Sequence, residues 1–171
     1  MLTPFIGYSI GRRFIGHVDC GGDRLAELLN GGNSLIVRDA FVETFDEDTI
    51  THLGDVTVDR STLYAVEARG RRGEEVDGIH AERRRIHVSL GPYAALGLLP
   101  EAPDQMVLPL FDPNGPMIRL SDATLGYTSG GVPRLRDVNS LLVNRDLMDW
   151  VRACEDDAPA FTGVPVVTDR S

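Results

Sequence analysis

The stretch Val58-Asp59-Arg60-Ser61-Thr62-Leu63-Tyr64-Ala65-Val66-Glu67-Ala68 returns as Val143-Asn144-Arg145-Asp146-Leu147-Met148-Asp149-Trp150-Val151-Arg152-Ala153. The first Val, the Arg, the second Val and the last Ala are identical, and Asp/Asn and Leu/Met are close replacements. The separation is 85 residues in a chain of 171, about half of its length. A repeat on that scale predicts two similar small units that bury apolar surface together. About 60–70 residues per unit supplies only a marginal core to either one alone.

Shorter echoes extend the repeat. With a separation of 70, His17 falls on His87, Val18 on Val88, Gly21 on Gly91 and Leu28-Leu29 on Leu98-Leu99. With a separation of 83, Arg38-Asp39-Ala40 falls on Ser121-Asp122-Ala123. The expected organisation is a first β-module over 12–68, an Arg-rich linker or hairpin loop over 69–83, a second β-module over 84–153 and an acidic, Pro-containing tail over 154–171.

Within the first module, Arg13–Asp19 alternates as a half-buried strand does. Asp23 is placed to cap a helix over Arg24–Asn30, whose Leu25, Leu28 and Leu29 form one apolar stripe before Gly31-Gly32 stops it. Ser34–Glu43, Thr49–Val58 and Thr62–Ala68 read as strands, with turns at Asp46–Asp48 and Asp59–Ser61. Residues 1–11 read as an apolar lead. In the second half, Arg85–Leu90 opens a strand, Glu101–Pro116 is a Pro-rich insertion with one short strand over Met106–Leu110, and Gly130-Gly131 is a hairpin turn.

These residues resemble a small bacterial β-module of uncharacterised function. Arg24-Leu25-Ala26-Glu27-Leu28-Leu29-Asn30, Arg38-Asp39-Ala40 and Val58-Asp59-Arg60 carry the likeness in the first half. Leu98-Leu99, Ser121-Asp122-Ala123 and Val143–Met148 carry it in the second, which lacks the Arg and Asn of the helical signature. The resemblance implies a mainly β fold of two fused SH3-like or Sm-like small barrels with short helical turns, pseudo-two-fold related and sharing one core. It implies no particular chemistry.

A formal charge of −9 disfavours broad binding to nucleic acid or anionic lipid. All 17 basic residues are Arg, and six of them, Arg69, Arg71, Arg72, Arg83, Arg84 and Arg85, cluster beside the proposed linker. That cluster is the most partner-like feature, able to dock acidic groups, but it lacks aromatics to stack bases. Cys20 and Cys154 have no metal-ligand spacing, and no run reaches the ~18 apolar residues of a membrane span. The expected location is cytoplasmic.

Three constellations could carry chemistry. His17, Asp39 or Asp55, and Ser129 follow the order of a protease triad. Asp39 and Asp122, as repeat equivalents, could approach each other as a carboxylate pair. Arg60 and Arg145 could pair with those same carboxylates, one ion pair per half. None converges strongly enough to predict an enzyme, a metal or a cofactor. The expected function is a non-enzymatic scaffold or protein-interaction module, with a protein or a second copy as partner. The alternatives are a ligand- or nucleic-acid-binding barrel using the Arg-rich 69–85 segment, and a small hydrolase.

Overall fold

The computed structural model describes residues 1–21, 24–68, 84–99 and 115–154. Ten strands pair into one antiparallel sheet: β1 (Leu2–Ser9), β2 (Arg12–Asp19), β3 (Ser34–Thr44), β4 (Thr49–Asp59), β5 (Ala65–Glu67), β6 (Arg84–Leu90), β7 (Tyr93–Leu99), β8 (Met117–Ser129), β9 (Val132–Asn144) and β10 (Trp150–Ala153). A short helix, α1 (Leu25–Gly31), separates β2 from β3, and 3-10 turns at Arg60–Thr62 and Arg145–Leu147 precede β5 and β10. The strand order is β10-β6-β7-β8-β9-β5-β1-β2-β3-β4. The chain is mainly β, and its ladder is not closed.

The second five strands run in the same spatial order as the first: last strand, then first to fourth. The two runs therefore meet head to tail, the fourth strand of the second run, β9, lying against the last strand of the first, β5. Residues 1–11, expected as a lead, form β1, which hydrogen-bonds both β2 and β5. Alternation does not betray it because both faces are covered: Phe5 packs into one core, and Ile6 and Tyr8 pack into the other.

Among the described residues there are two cores rather than one. The first gathers Phe5, Val18, Leu25, Leu29, Leu35, Val37, Val58, Leu63 and Val66 under α1. The second gathers Val88, Leu90, Ala95, Leu120, Leu125, Leu141 and Val143, and it also takes Ile6, Tyr8, Phe45 and Ala65 from the first half. The strands where the halves meet serve both. In β5, Ala65 faces one core and Val66 the other; in β9, Leu141 and Val143 face one and Leu142 the other. Such strands must be apolar throughout, which is why Leu141-Leu142-Val143 is a continuous run.

Local devices recur in the two runs. Asp59 accepts from Ser61 N at 2.8 Å, and Asn144 accepts from Asp146 N at 3.0 Å, each capping its 3-10 turn. Arg60 N donates to Asn33 O, and Arg145 N donates to Pro116 O. Asp39 and Asp122 both adopt left-handed backbone, φ 48° and 45°, where the register of β3 against β2, and of β8 against β7, slips by one residue. Opposite each slip stands a glycine. A Cβ on Gly16 would meet Val37 Cγ1 and Arg38 O at 2.7 Å, and one on Gly97 would meet Leu120 Cβ at 2.9 Å. The Asp-Ala motif therefore marks a β-bulge that bends the strand over its neighbour.

This geometry corrects the 70-residue pairing. His17 lies on the second strand of its run and His87 on the first strand of the other. Leu28-Leu29 is helical, whereas Leu98-Leu99 is strand. The Thr62–Ala68 strand shrinks to Ala65–Glu67 because the 3-10 turn takes Thr62. Asp23, the Met106–Leu110 strand and the 155–171 tail lie outside the described residues; the helix N-cap is Arg24, whose N–H donates to Glu27 Oε2 at 3.3 Å.

Candidate interaction edges

The two runs are joined by β5 against β9, with Ala65 opposite Val143, Val66 opposite Leu142 and Glu67 opposite Leu141. Backbone bonds extend this seam at both ends, from Asn144 N to Tyr64 O at 2.9 Å and from Ala68 N to Ser140 O at 2.9 Å. Asn144 is almost fully buried and donates its amide to Leu63 O at 3.0 Å, tying the end of β9 to the segment entering β5. Asn30, at the end of α1, grips the other half like a backbone group: its Oδ1 accepts from Met117 N at 2.9 Å and its Nδ2 donates to Met117 O at 3.4 Å.

Beneath the seam lies a buried polar cluster. Glu67 is 4 % exposed and accepts from Tyr8 Oη at 2.7 Å and from Arg136 Nη2 at 3.1 Å, with Arg136 Nε also on its Oε1. The fork-on-carboxylate geometry is the bidentate form that Arg favours. It joins β5, β1 and β9. Burial, and then the Glu67 carboxylate, push the Tyr8 phenol far above its ordinary value, while the hydrogen bond to Glu67 raises that of Arg136. Tyr93 and Tyr127 pack around Tyr8 with ring centroids 5.7 and 5.8 Å away, and Tyr93 Oη donates to Ser9 O.

At the ends of the ladder, β4 has only β3 as neighbour and β10 only β6, among the described residues. Arg60 N bonds inward to Asn33 O, so by alternation the N–H and C=O of Asp55, Thr57 and Asp59 point outward from β4. Cys154 N bonds inward to Arg85 O, so those of Val151 and Ala153 point outward from β10. Large apolar side chains exposed near these edges are Ile36, Phe41, Ile50 and Leu53 on the β3–β4 hairpin and Trp150, 48 % exposed, on β10.

Comparison of the chain with family models, with curated proteins and with solved structures finds no match.

Asp39 and Asp122 sit on β3 and β8, with β9, β5, β1 and β2 between those strands, so they form no carboxylate pair. Asp39 bonds His52 Nε2 at 2.7 Å, and Asp55 accepts from Arg38 at 2.7 Å and from Asp39 N at 3.1 Å. Those partners correct both the triad and the Arg60–Asp39 pairing: Ser129 is buried at the end of β8, and His17 is exposed on β2. Arg60 donates instead to Leu29 O at 3.1 Å, satisfying a carbonyl of the last turn of α1. Arg145 Nε lies 3.9 Å from Oδ1 of its neighbour Asp146. Arg84 and Arg85 lie in β6, and Arg69, Arg71, Arg72 and Arg83 fall outside the described residues. Among the described residues, no group of three or more His, Cys, Asp or Glu is placed to hold a metal ion, and no helix is long and apolar enough to cross a membrane. Sequence reasoning missed Tyr8, Glu67, Arg136 and Asn30. A Glu inside an apolar run, Ala65-Val66-Glu67-Ala68, was the available signal for one of them.

Proposed function

We propose that the chain is a non-enzymatic scaffold that engages protein partners by β-strand addition at its open edges. In this reading it is an internal duplication of an SH3-like or Sm-like module, each five-strand run coiled around its own core. The matched caps, bulges and strand order support the duplication. The observation that supports the function is the β5–β9 seam, where the last strand of one five-strand run pairs with the other run through main-chain bonds. Exposed edges that keep apolar side chains, instead of being blunted by Pro or Lys, favour pairing over isolation.

The test is a pull-down from cell extract read by native mass spectrometry, comparing the natural chain with Thr57→Pro and Val151→Pro. Proline removes an outward N–H and is tolerated on an edge strand. Copies or partners held by the natural chain should be lost from at least one variant. Retention of all of them by both variants refutes the edge reading.

A further inference from the structure

We propose that the partner for these edges is a second copy of the chain, β10 of one copy adding to β4 of the next in the register of the internal seam; this rests on the edge-scaffold reading above. Within each run β9 occupies the place of β4, and β10 the place of β5. The internal seam is thus a fifth-strand edge on a fourth-strand edge. What remains unpaired at the two ends of the ladder is one edge of each kind.

The register follows from the repeat. Ala65, Val66 and Glu67 correspond to Trp150, Val151 and Arg152, and Val143, Leu142 and Leu141 correspond to Val58, Thr57 and Val56. The contact sets Trp150 opposite Val58, Val151 opposite Thr57 and Arg152 opposite Val56. Val151 and Thr57 are the pair whose free N–H and C=O groups face each other, as Val66 and Leu142 do in the seam. Ala153 N then donates to Asp55 O as Ala68 N donates to Ser140 O, and Asp59 N donates to Asp149 O as Asn144 N donates to Tyr64 O. The contact would cover Trp150, which the single chain leaves 48 % exposed.

The chemistry differs from the seam in one respect. Glu67 and its Arg136 partner have no counterpart at the outer contact, where Arg152 replaces Glu67 and lies beside His87 and over the Trp150 ring. The outer contact lacks the buried ion pair and should be the more readily reversible of the two. It is heterologous, each copy offering one donor strand and one acceptor edge, so copies add until the contact closes a ring.

Complementation tests it. The natural chain should run in native mass spectrometry as species of two or more copies. Thr57→Pro, which spoils only the acceptor edge, and Val151→Pro, which spoils only the donor strand, should each be monomeric with unchanged circular dichroism. Mixed one to one, they should give a heterodimer and nothing larger, since one good donor meets one good acceptor. An assembly abolished by one proline and untouched by the other means like-with-like pairing and overturns the proposal. A natural chain that is monomeric at 100-fold the concentration used for the pull-down also overturns it. If such a monomer still retains another protein that Thr57→Pro releases, the edge reading survives while self-pairing fails.

Discussion

Removing Arg136 strands a carboxylate. The Glu67 side chain is 5 % exposed and that of Arg136 17 %, so the pair is shielded from water. Deleting one partner of such a pair costs roughly 3–5 kcal/mol, because the charge left behind is buried without compensation. Arg136→Met keeps much of the aliphatic stem and removes the fork. Glu67→Gln keeps the shape and an acceptor for Tyr8 but sacrifices the charge, costing about 1–3 kcal/mol. The double variant has neither charge and should recover much of the loss, leaving a coupling of ~1–3 kcal/mol in the cycle. With a urea m-value of roughly 2 kcal/mol/M, Arg136→Met should lower the unfolding midpoint by about 1.5–2.5 M. The assay is urea denaturation of all four proteins followed by tryptophan emission and far-ultraviolet circular dichroism. Additive single effects, with coupling below ~0.5 kcal/mol, would refute the claim that this pair acts as one buried unit across the seam.

Burial holds Tyr8, Tyr93 and Tyr127 above their ordinary phenol range. Their contribution is fully present below about pH 10 and is lost as pH rises further, so absorbance at 295 nm should show these rings ionising only as the sheet unfolds. For His87, burial and then the Arg152 charge depress the imidazole. The unfolded chain binds its proton first, so stability should fall as pH drops below roughly 6.5, and His87→Gln should flatten that slope in thermal melts. Gly16→Ala and Gly97→Ala each drive a methyl into the facing strand, closer than 3.0 Å. Each should destabilise by about 1–3 kcal/mol in urea titrations, whereas Gly31→Ala, where the added methyl meets nothing, should be nearly neutral.

Several elements were legible because their causes are local. The Leu25, Leu28, Leu29 stripe and the glycines after it set α1, and Gly130-Gly131 closes a two-residue hairpin with positive φ at both positions, as a primed turn requires. The repeated Val-[Asp/Asn]-Arg is a cap, and a cap is written in adjacent residues. What stayed hidden is set at long range. β1 shows no alternation because it is covered on both faces by segments distant in sequence. The β5–β9 pairing joins residues far apart, and nothing in Ala65-Val66-Glu67 names its partner. The 70-residue alignment matched side chains by identity and so paired a helix with a strand. Gly16 and Gly97, whose role is to let another backbone approach, offered a register that it overlooked.

Chain synthesis gives the seam a temporal meaning. The first five strands leave the ribosome before β9 and before the second core, into which some of their side chains pack. Until β9 arrives, Val66 offers its outward main-chain groups to any strand nearby, and Ile6, Tyr8, Phe45 and Ala65 have no core to enter. A nascent half-chain is therefore a sticky intermediate, exposed to misassembly with another nascent copy for as long as the second half takes to be made. At ~5–20 residues per second, that interval is several seconds. The order of the halves also decides which edge waits. Glu67 sits on that edge as an unpaired charge until Arg136 is delivered, and a charge on a bare strand discourages the wrong neighbour while the right one is still being made.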